Sequence, residues 1–405
     1  MIHVCSSRFG DRKGSGQLAG TSACRDRQSG GKAILGVTGT IRLSTTALSL
    51  AFATACSNGA VQPSPALEVV VSGRLERGLE SRLELRLDGE VVPDSEVVWS
   101  VIPAGGADLG AAGTAVLLQS GELTFTATTG VQSASLTVTV GTPPLVLFDR
   151  LVEGNRDIWV VALDGADQLR LTTHVSDDSD PSGAAGVATF VSYRNGNADL
   201  YTVPIAGGPA LRLTNSPQNE VAPSMTLDGR RVAYTREVAG LTKLWTLDVE
   251  SGVSVQVGLI DASDDDIHAS PNWWASSDSI AFVTTAGGSA DIRIVNLASG
   301  TAQVAVAAPS ADVEPAISPD GSRIVFVSNR DGNDELYVTT LATGATERLT
   351  NRAGSDANPA WLADGRIVYS AVEGAARALC WLDPEDPTET HRIPGTEGGG
   401  HPSGT

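Results

Sequence analysis

Prolines at positions 181, 223, 271, 315, 359 and 402 stand 42, 48, 44, 44 and 43 residues apart. A second marker keeps step with them. The aliphatic residue opening a later strand of each unit falls at Ile158, Leu200, Leu244, Ile292, Leu336 and Leu379, with spacings of 42, 44, 48, 44 and 43. A period of about 44 residues is the length of one propeller blade, a unit that cannot bury its own apolar face and must stack on its neighbours. The repeat therefore predicts six stacked β-units over residues 143–405.

The clearest unit runs from Pro315 through Asp320-Gly321, Ile324-Val325-Phe326-Val327, Asp331-Gly332 and Leu336-Tyr337-Val338 to Arg348-Leu349-Thr350. The two Asp-Gly pairs supply the positive-φ positions that tight hairpins need. The unbroken apolar run suits a strand covered on both faces, and it recurs as Val187-Ala188-Thr189-Phe190-Val191, Val232-Ala233-Tyr234, Ile280-Ala281-Phe282-Val283 and Ile367-Val368-Tyr369. These units resemble TolB-type (WD40-like) propeller repeats, as found in periplasmic TolB proteins and in the propellers of prolyl oligopeptidases. The first hairpin lacks Asp-Gly in the Pro181 and Pro271 units, the latter reading Ser277-Asp278-Ser279. Cys380 stands where other units carry Trp159, Tyr201, Trp245 or Tyr337. The resemblance implies a six-bladed propeller and leaves the activity open, because one fold hosts many functions.

The first unit starts directly at Leu145-Val146-Leu147-Phe148, without a proline-led strand, whereas His401-Pro402-Ser403-Gly404-Thr405 begins one at the far end. The carboxyl-terminal residues are therefore expected to complete the first blade. Counted from Pro402, that closing strand would be stunted and its seal loose.

Ahead of the repeats, residues 66–141 alternate in short runs such as Leu83-Glu84-Leu85-Arg86-Leu87 and Ser135-Leu136-Thr137-Val138-Thr139-Val140, divided by Gly, Asp and Pro. Period two with turns predicts an antiparallel sandwich. The stretch resembles bacterial Ig-like domains of surface proteins, with Trp99 at the place of a core tryptophan, and implies a spacing or adhesion module. The fold class expected for the whole chain is thus all-β: a six-bladed propeller preceded by an Ig-like β-sandwich and a signal/lipoprotein leader.

The leader occupies residues 1–55. Leu43–Ala55 is an apolar stretch of 13 residues, too short to span a bilayer but suited to a signal-peptide core. Ala53-Thr54-Ala55-Cys56 resembles the lipobox of bacterial lipoproteins, which implies lipidation of Cys56, and residues 56–65 read as a small polar tether. Ser57 beside that cysteine points by the same resemblance to the outer membrane. The Gly/Ser-rich basic stretch before the apolar core is unusual ahead of a signal peptide, and Val37 is a candidate for the true start. A bystander Cys56 after an ordinary cleavage site is the alternative.

From Cys56 onward, 21 of the 28 Lys+Arg and 45 of the 47 Asp+Glu remain. Lys243 is the single lysine of that region. Nucleic-acid binding relies on basic side chains neutralising phosphates, so DNA and RNA are excluded as partners.

Three residues before the prolines stand Asp178, Glu220, His268, Asp312, Asp356 and Gly399. With Asp180, Glu314 and the run Asp264-Asp265-Asp266, they predict an acidic mouth on the central channel. A ring of carboxylates attracts cations and basic peptide segments, so the expected partner is an envelope protein or a basic peptide; turn and solubility residues are the alternative. Ca²⁺ could use these hard oxygen ligands, but no stretch has the spacing of a calcium loop, and no cofactor or metal is expected. From Cys56 onward no H-E-x-x-H, G-x-S-x-G, S-x-x-K or glycine-rich phosphate loop occurs, and the chain reads as non-enzymatic. The enzymatic alternative is a carbohydrate-processing lyase or metal-dependent propeller that uses His174, His268 and His401 in the channel. Trp273-Trp274 suggest either sugar stacking or one ring in each inter-blade layer, since strand neighbours face opposite ways. Cys380 is expected to be a buried small hydrophobe.

Overall fold

A computed structural model describes residues 42–44, 47–49, 67–110, 113–259, 267–273, 278–285, 288–374 and 376–405. Cys56, the tether, Asp264-Asp265-Asp266 and Trp274 lie outside the described residues.

Residues 67–140 form two sheets around one core. Leu67–Ser72, Glu80–Leu87, Thr114–Leu117 and Ala107–Leu109 lie side by side in one sheet, and Gln132–Val140, Gly121–Thr129 and Val98–Ile102 in the other. Two short strands, Arg42–Ser44 and Ala47–Ser49, add to the edge of the first sheet beside Leu67–Ser72. The alternation seen in the sequence is realised. Leu83 and Leu85 from one sheet and Leu123, Phe125, Leu136 and Val138 from the other fill the core, with Trp99 packed against its side.

Six four-stranded antiparallel sheets follow. Their innermost strands are Gly399–Gly404, Asp178–Ala184, Glu220–Met225, His268–Trp273, Asp312–Ile317 and Asp356–Trp361. Each packs beside the next, and Asp356–Trp361 packs beside Gly399–Gly404, so the succession of neighbours returns to its start. The second strands are apolar on both faces because blades stack. Ile324 and Phe326 pack with Ala281 and Val283 of the preceding blade, while Val325 and Val327 pack with Tyr369 of the following one. Trp273 packs in the layer with Leu244, Ile280 and Val295. Cys380 is buried in the cluster with Val327, Leu336 and Tyr369.

The Arg-Leu-Thr close of the units has a structural job. Thr172, Thr214 and Thr350 each accept a hydrogen bond from the backbone N–H that starts the third strand, at Ile158, Leu200 and Leu336 (3.0, 3.0 and 2.9 Å). The arginine two residues earlier pairs with the buried acid just before that N–H: Arg170 with Asp157, Arg212 with Asp199 and Arg348 with Glu335. A strand end thereby has its donor satisfied and its buried charge compensated.

The carboxyl-terminal strand does complete the first sheet, pairing with Leu145–Val152. It is not stunted. It begins at Gly399, three residues ahead of the proline, and its six residues match the six of Asp312–Ile317. Glycine at 400 permits this approach, since a Cβ there would stand 2.9 Å from an Asp149 carboxylate oxygen. Among the described residues no helix is long and apolar enough to cross a membrane.

Candidate functional site

Every innermost strand breaks register at its proline. The ladder shifts between Ser179 and Ser182, Val221 and Ser224, Ala269 and Asn272, Val313 and Ala316, and Ala357 and Ala360. Proline has no N–H to give the ladder, and a bulge removes the need for one. The residue before each proline then takes the left-handed region: Asp180, Ala222, Ser270, Glu314, Asn358 and His401 have φ of 51, 53, 45, 54, 52 and 37°. This conformation is uncommon for residues other than glycine and is held here by the surrounding strands. All six residues, with their prolines, line one cavity of about 260 Å³ at the centre of the propeller.

The acids three residues before the prolines do not reach that cavity. Asp178, Glu220, Asp312 and Asp356 have no exposed surface. Arg194 grips both oxygens of Asp178 at 3.0 and 2.9 Å. Arg236 bonds Glu220 (2.8 Å), Arg330 bonds Asp312 (2.7 Å) and Arg352 pairs with Asp356 (3.4 Å). Three of these guanidinium groups also lie over aromatic rings of their own blade, as Arg194 does over Tyr201 at 4.5 Å. The expected acidic ring at these four positions is corrected to a belt of buried ion pairs, because the bulge turns the third residue of the strand, not the first, toward the axis. His268, at the same register, is also buried, edge-on to Phe282 at 5.2 Å.

Asp180 and Glu314 line the cavity together with His401, which the lyase alternative put in the channel, and the structure adds Asn358 and Ser270. His401 Nδ1 lies 2.7 Å from Asp149 Oδ2 and 3.2 Å from Asp180 Oδ1. Asp149 is fully buried; Arg156 bonds its Oδ1 at 2.6 Å, and the Asp180 N–H donates to its Oδ2 at 3.2 Å. Burial alone would push the Asp149 carboxyl up, but the His401 hydrogen bond and charge, with Arg156, hold it below its ordinary value. Burial depresses His401, yet its bond to Asp149 and the charges of Asp180, Asp149 and Glu314 raise it overall. Asp180 is pushed up by burial, against the pull of His401. Glu314 is likewise pushed up by burial, its Oε2 accepting the Asn358 N–H at 2.6 Å.

Among the described residues, Asp149, Asp180 and His401 offer three ligand atoms within 4.8 Å of one another. One imidazole and two carboxylates suit a borderline divalent ion such as Zn²⁺ or Mn²⁺ better than Ca²⁺. Arg156 and a protonated His401 neutralise the same carboxylates. His174 takes no part in this cluster: its Nδ1 accepts the Ser176 N–H at 3.0 Å within its own loop. Among the described residues, the three histidines of the lyase alternative form no group within ligand distance of one another. Asp149 escaped sequence reasoning because it sits on the second strand of a blade whose first strand comes from the other end of the chain. The pre-proline position, by contrast, could have been read from the repeat itself.

The profile of the TolB beta propeller domain matches residues 255–378. No curated protein sequence matches the chain. Among solved structures, TolB from Acinetobacter baumannii superposes with a TM-score of 0.60 at 15% identity, covering 76% of this chain and 82% of that one. The putative TolB from Agrobacterium tumefaciens gives 0.53 at 16% identity, covering 64% and 92%. Kuenenia stuttgartiensis hydrazine synthase gives 0.55 at 13% identity, covering 65% of this chain and 47% of that chain. An enzyme shares the architecture, so these likenesses carry the fold and not the function. The repeat region of this chain is a TolB-like β-propeller.

Proposed function

We propose that the protein is a non-enzymatic cell-envelope lipoprotein, anchored through Cys56 to the outer membrane, in which an Ig-like sandwich carries a TolB-like propeller that binds an envelope protein or peptide. The observation that carries this reading is the central cavity, where the Asp180 and Glu314 carboxylates stand on the pre-proline ring and the described lining residues include no lysine or arginine. The basic group among those lining residues is His401, which already serves Asp149 and Asp180, while Arg156 and Arg377 act on Asp180 and Glu314 from outside the lining. A concave site with excess carboxylate favours a cationic side chain or amino terminus offered by a partner. The TolB-like fold and the lipobox-like leader point to the same compartment.

The test is a crosslinking pull-down from the native envelope with the wild-type protein and with Asp180→Asn/Glu314→Gln, partners being identified by mass spectrometry. The expected result is a partner captured by the wild type, displaced by a lysine-rich peptide and lost from the variant. Identical capture by both proteins would remove the cavity as the docking site.

A further inference from the structure

The sandwich does not behave as a free stalk. The loop joining its strands Leu67–Ser72 and Glu80–Leu87 reaches onto the propeller and touches two blades at once. On the last blade, Arg74 bonds Asp383 at 2.7 Å and Asp364 at 3.4 Å. Glu76 receives both of its bonds from Arg366, at 3.0 and 2.7 Å. Arg366 has no exposed surface, lies over Trp381 at 4.9 Å and also bonds Asp364 at 2.8 Å. On the first blade, Arg77 bonds Asp164 at 2.7 Å and Asp167 at 2.5 Å. Leu79 packs between them, against Val146, Phe148 and Leu163 of the first blade and Val368, Leu379 and Trp381 of the last. The loop itself is pinned from behind, with Glu76 bridging to Gly141 and the Gly141 N–H donating to Leu75 at 2.8 Å.

These two blades meet at a particular place. The first blade is the one sheet assembled from both ends of the repeat region: Gly399–Gly404 joins Leu145–Val152 through its backbone ladder and the His401–Asp149 contact, with no hairpin between them. A strand with no short turn to its sheet partner opens more readily than one held in a hairpin, because its pairing closes a long loop. We propose that the 74–79 loop is a latch across this joint: by holding the last blade through Glu76 and Arg74 and the first through Arg77, it keeps the carboxyl-terminal strand seated. Because His401 rides on that strand, the sandwich also sets the geometry of the cavity wall.

The experiment is hydrogen–deuterium exchange with peptide-level mass spectrometry on the full chain, wild type against Arg74→Ala/Arg77→Ala. Of the carboxylates these arginines leave behind, Asp383, Asp364 and Asp167 are 32%, 30% and 64% exposed, and Asp164, at 11%, keeps the Ala166 N–H, so the variant folds. The latch predicts that peptides covering 399–404 and 145–148 exchange at least tenfold faster, while Glu220–Met225 and Arg231–Val238 in the third blade keep their rates. Glu76→Gln, which keeps the shape of the contact and removes its charge, gives the same pattern to a smaller degree. Faster exchange confined to 67–140, or equal acceleration in every blade, overturns the proposal.

Discussion

Replacing Arg194 by methionine separates a buried ion-pair belt from a solvated acidic rim. Methionine keeps most of the apolar stem and so opens little cavity, but it removes both hydrogen bonds to Asp178 and the guanidinium over Tyr201. Asp178 has no exposed surface and would be left as an uncompensated buried carboxylate. Breaking such a pair from one side costs about 3–5 kcal/mol. At about 2–4 °C per kcal/mol for a domain of this size, the melting temperature should fall by about 6–20 °C. Arg392→Ala serves as the comparison, because its pair with Glu397 is 44% and 53% exposed and is worth about 0–1 kcal/mol. The double variant Arg194→Met/Asp178→Leu should recover most of the loss, since an apolar pair can replace a buried ionic one at little cost. The assay is thermal and denaturant unfolding of the wild type and the three variants, followed by tryptophan fluorescence. A loss below about 1 kcal/mol for Arg194→Met would refute the reasoning, because water would then be reaching Asp178.

Two further outcomes follow from the cavity. The folded-state pKa of His401 is raised, so its stabilising contribution is complete below its ordinary value of about 6.5 and is lost as pH rises through the higher folded value. The wild type should therefore lose its advantage over His401→Gln in that alkaline window, and parallel melting-temperature profiles from pH 5 to 9 would show that the ion pair contributes nothing. Because His401 must release its proton before it can ligate a metal, zinc or manganese should leave the melting temperature unchanged at pH 6; a clear rise there, reversed by chelator, would make the Asp149, Asp180 and His401 cluster a metal centre.

The local parts of the design were legible in the sequence because their causes are local. Asp320-Gly321 and Asp331-Gly332 mark hairpins by their own backbone preferences, and the Ile324–Val327 run marks a strand covered on both sides. The prolines marked the innermost strands, and the structure has Asp180 and Glu314 lining the cavity. The expectation at Asp178, Glu220, Asp312 and Asp356 took the entry to the innermost strand for the channel mouth. The bulge at each proline instead presents the pre-proline residue to the cavity and leaves the first residue of the strand buried against an arginine.

The sequence by itself determined that this chain makes six repeated β-units behind a smaller sandwich, because a 44-residue period and turn chemistry act within tens of residues. Only the tertiary structure decided which charges face the cavity and which are hidden. It also seated His401 against Asp149, 252 residues away, and Glu76 on Arg366, 290 residues away. Pairings of that separation are chosen when sheets stack and the ring's ends meet. Their energy comes from burial and mutual geometry, which no local pattern along the chain encodes.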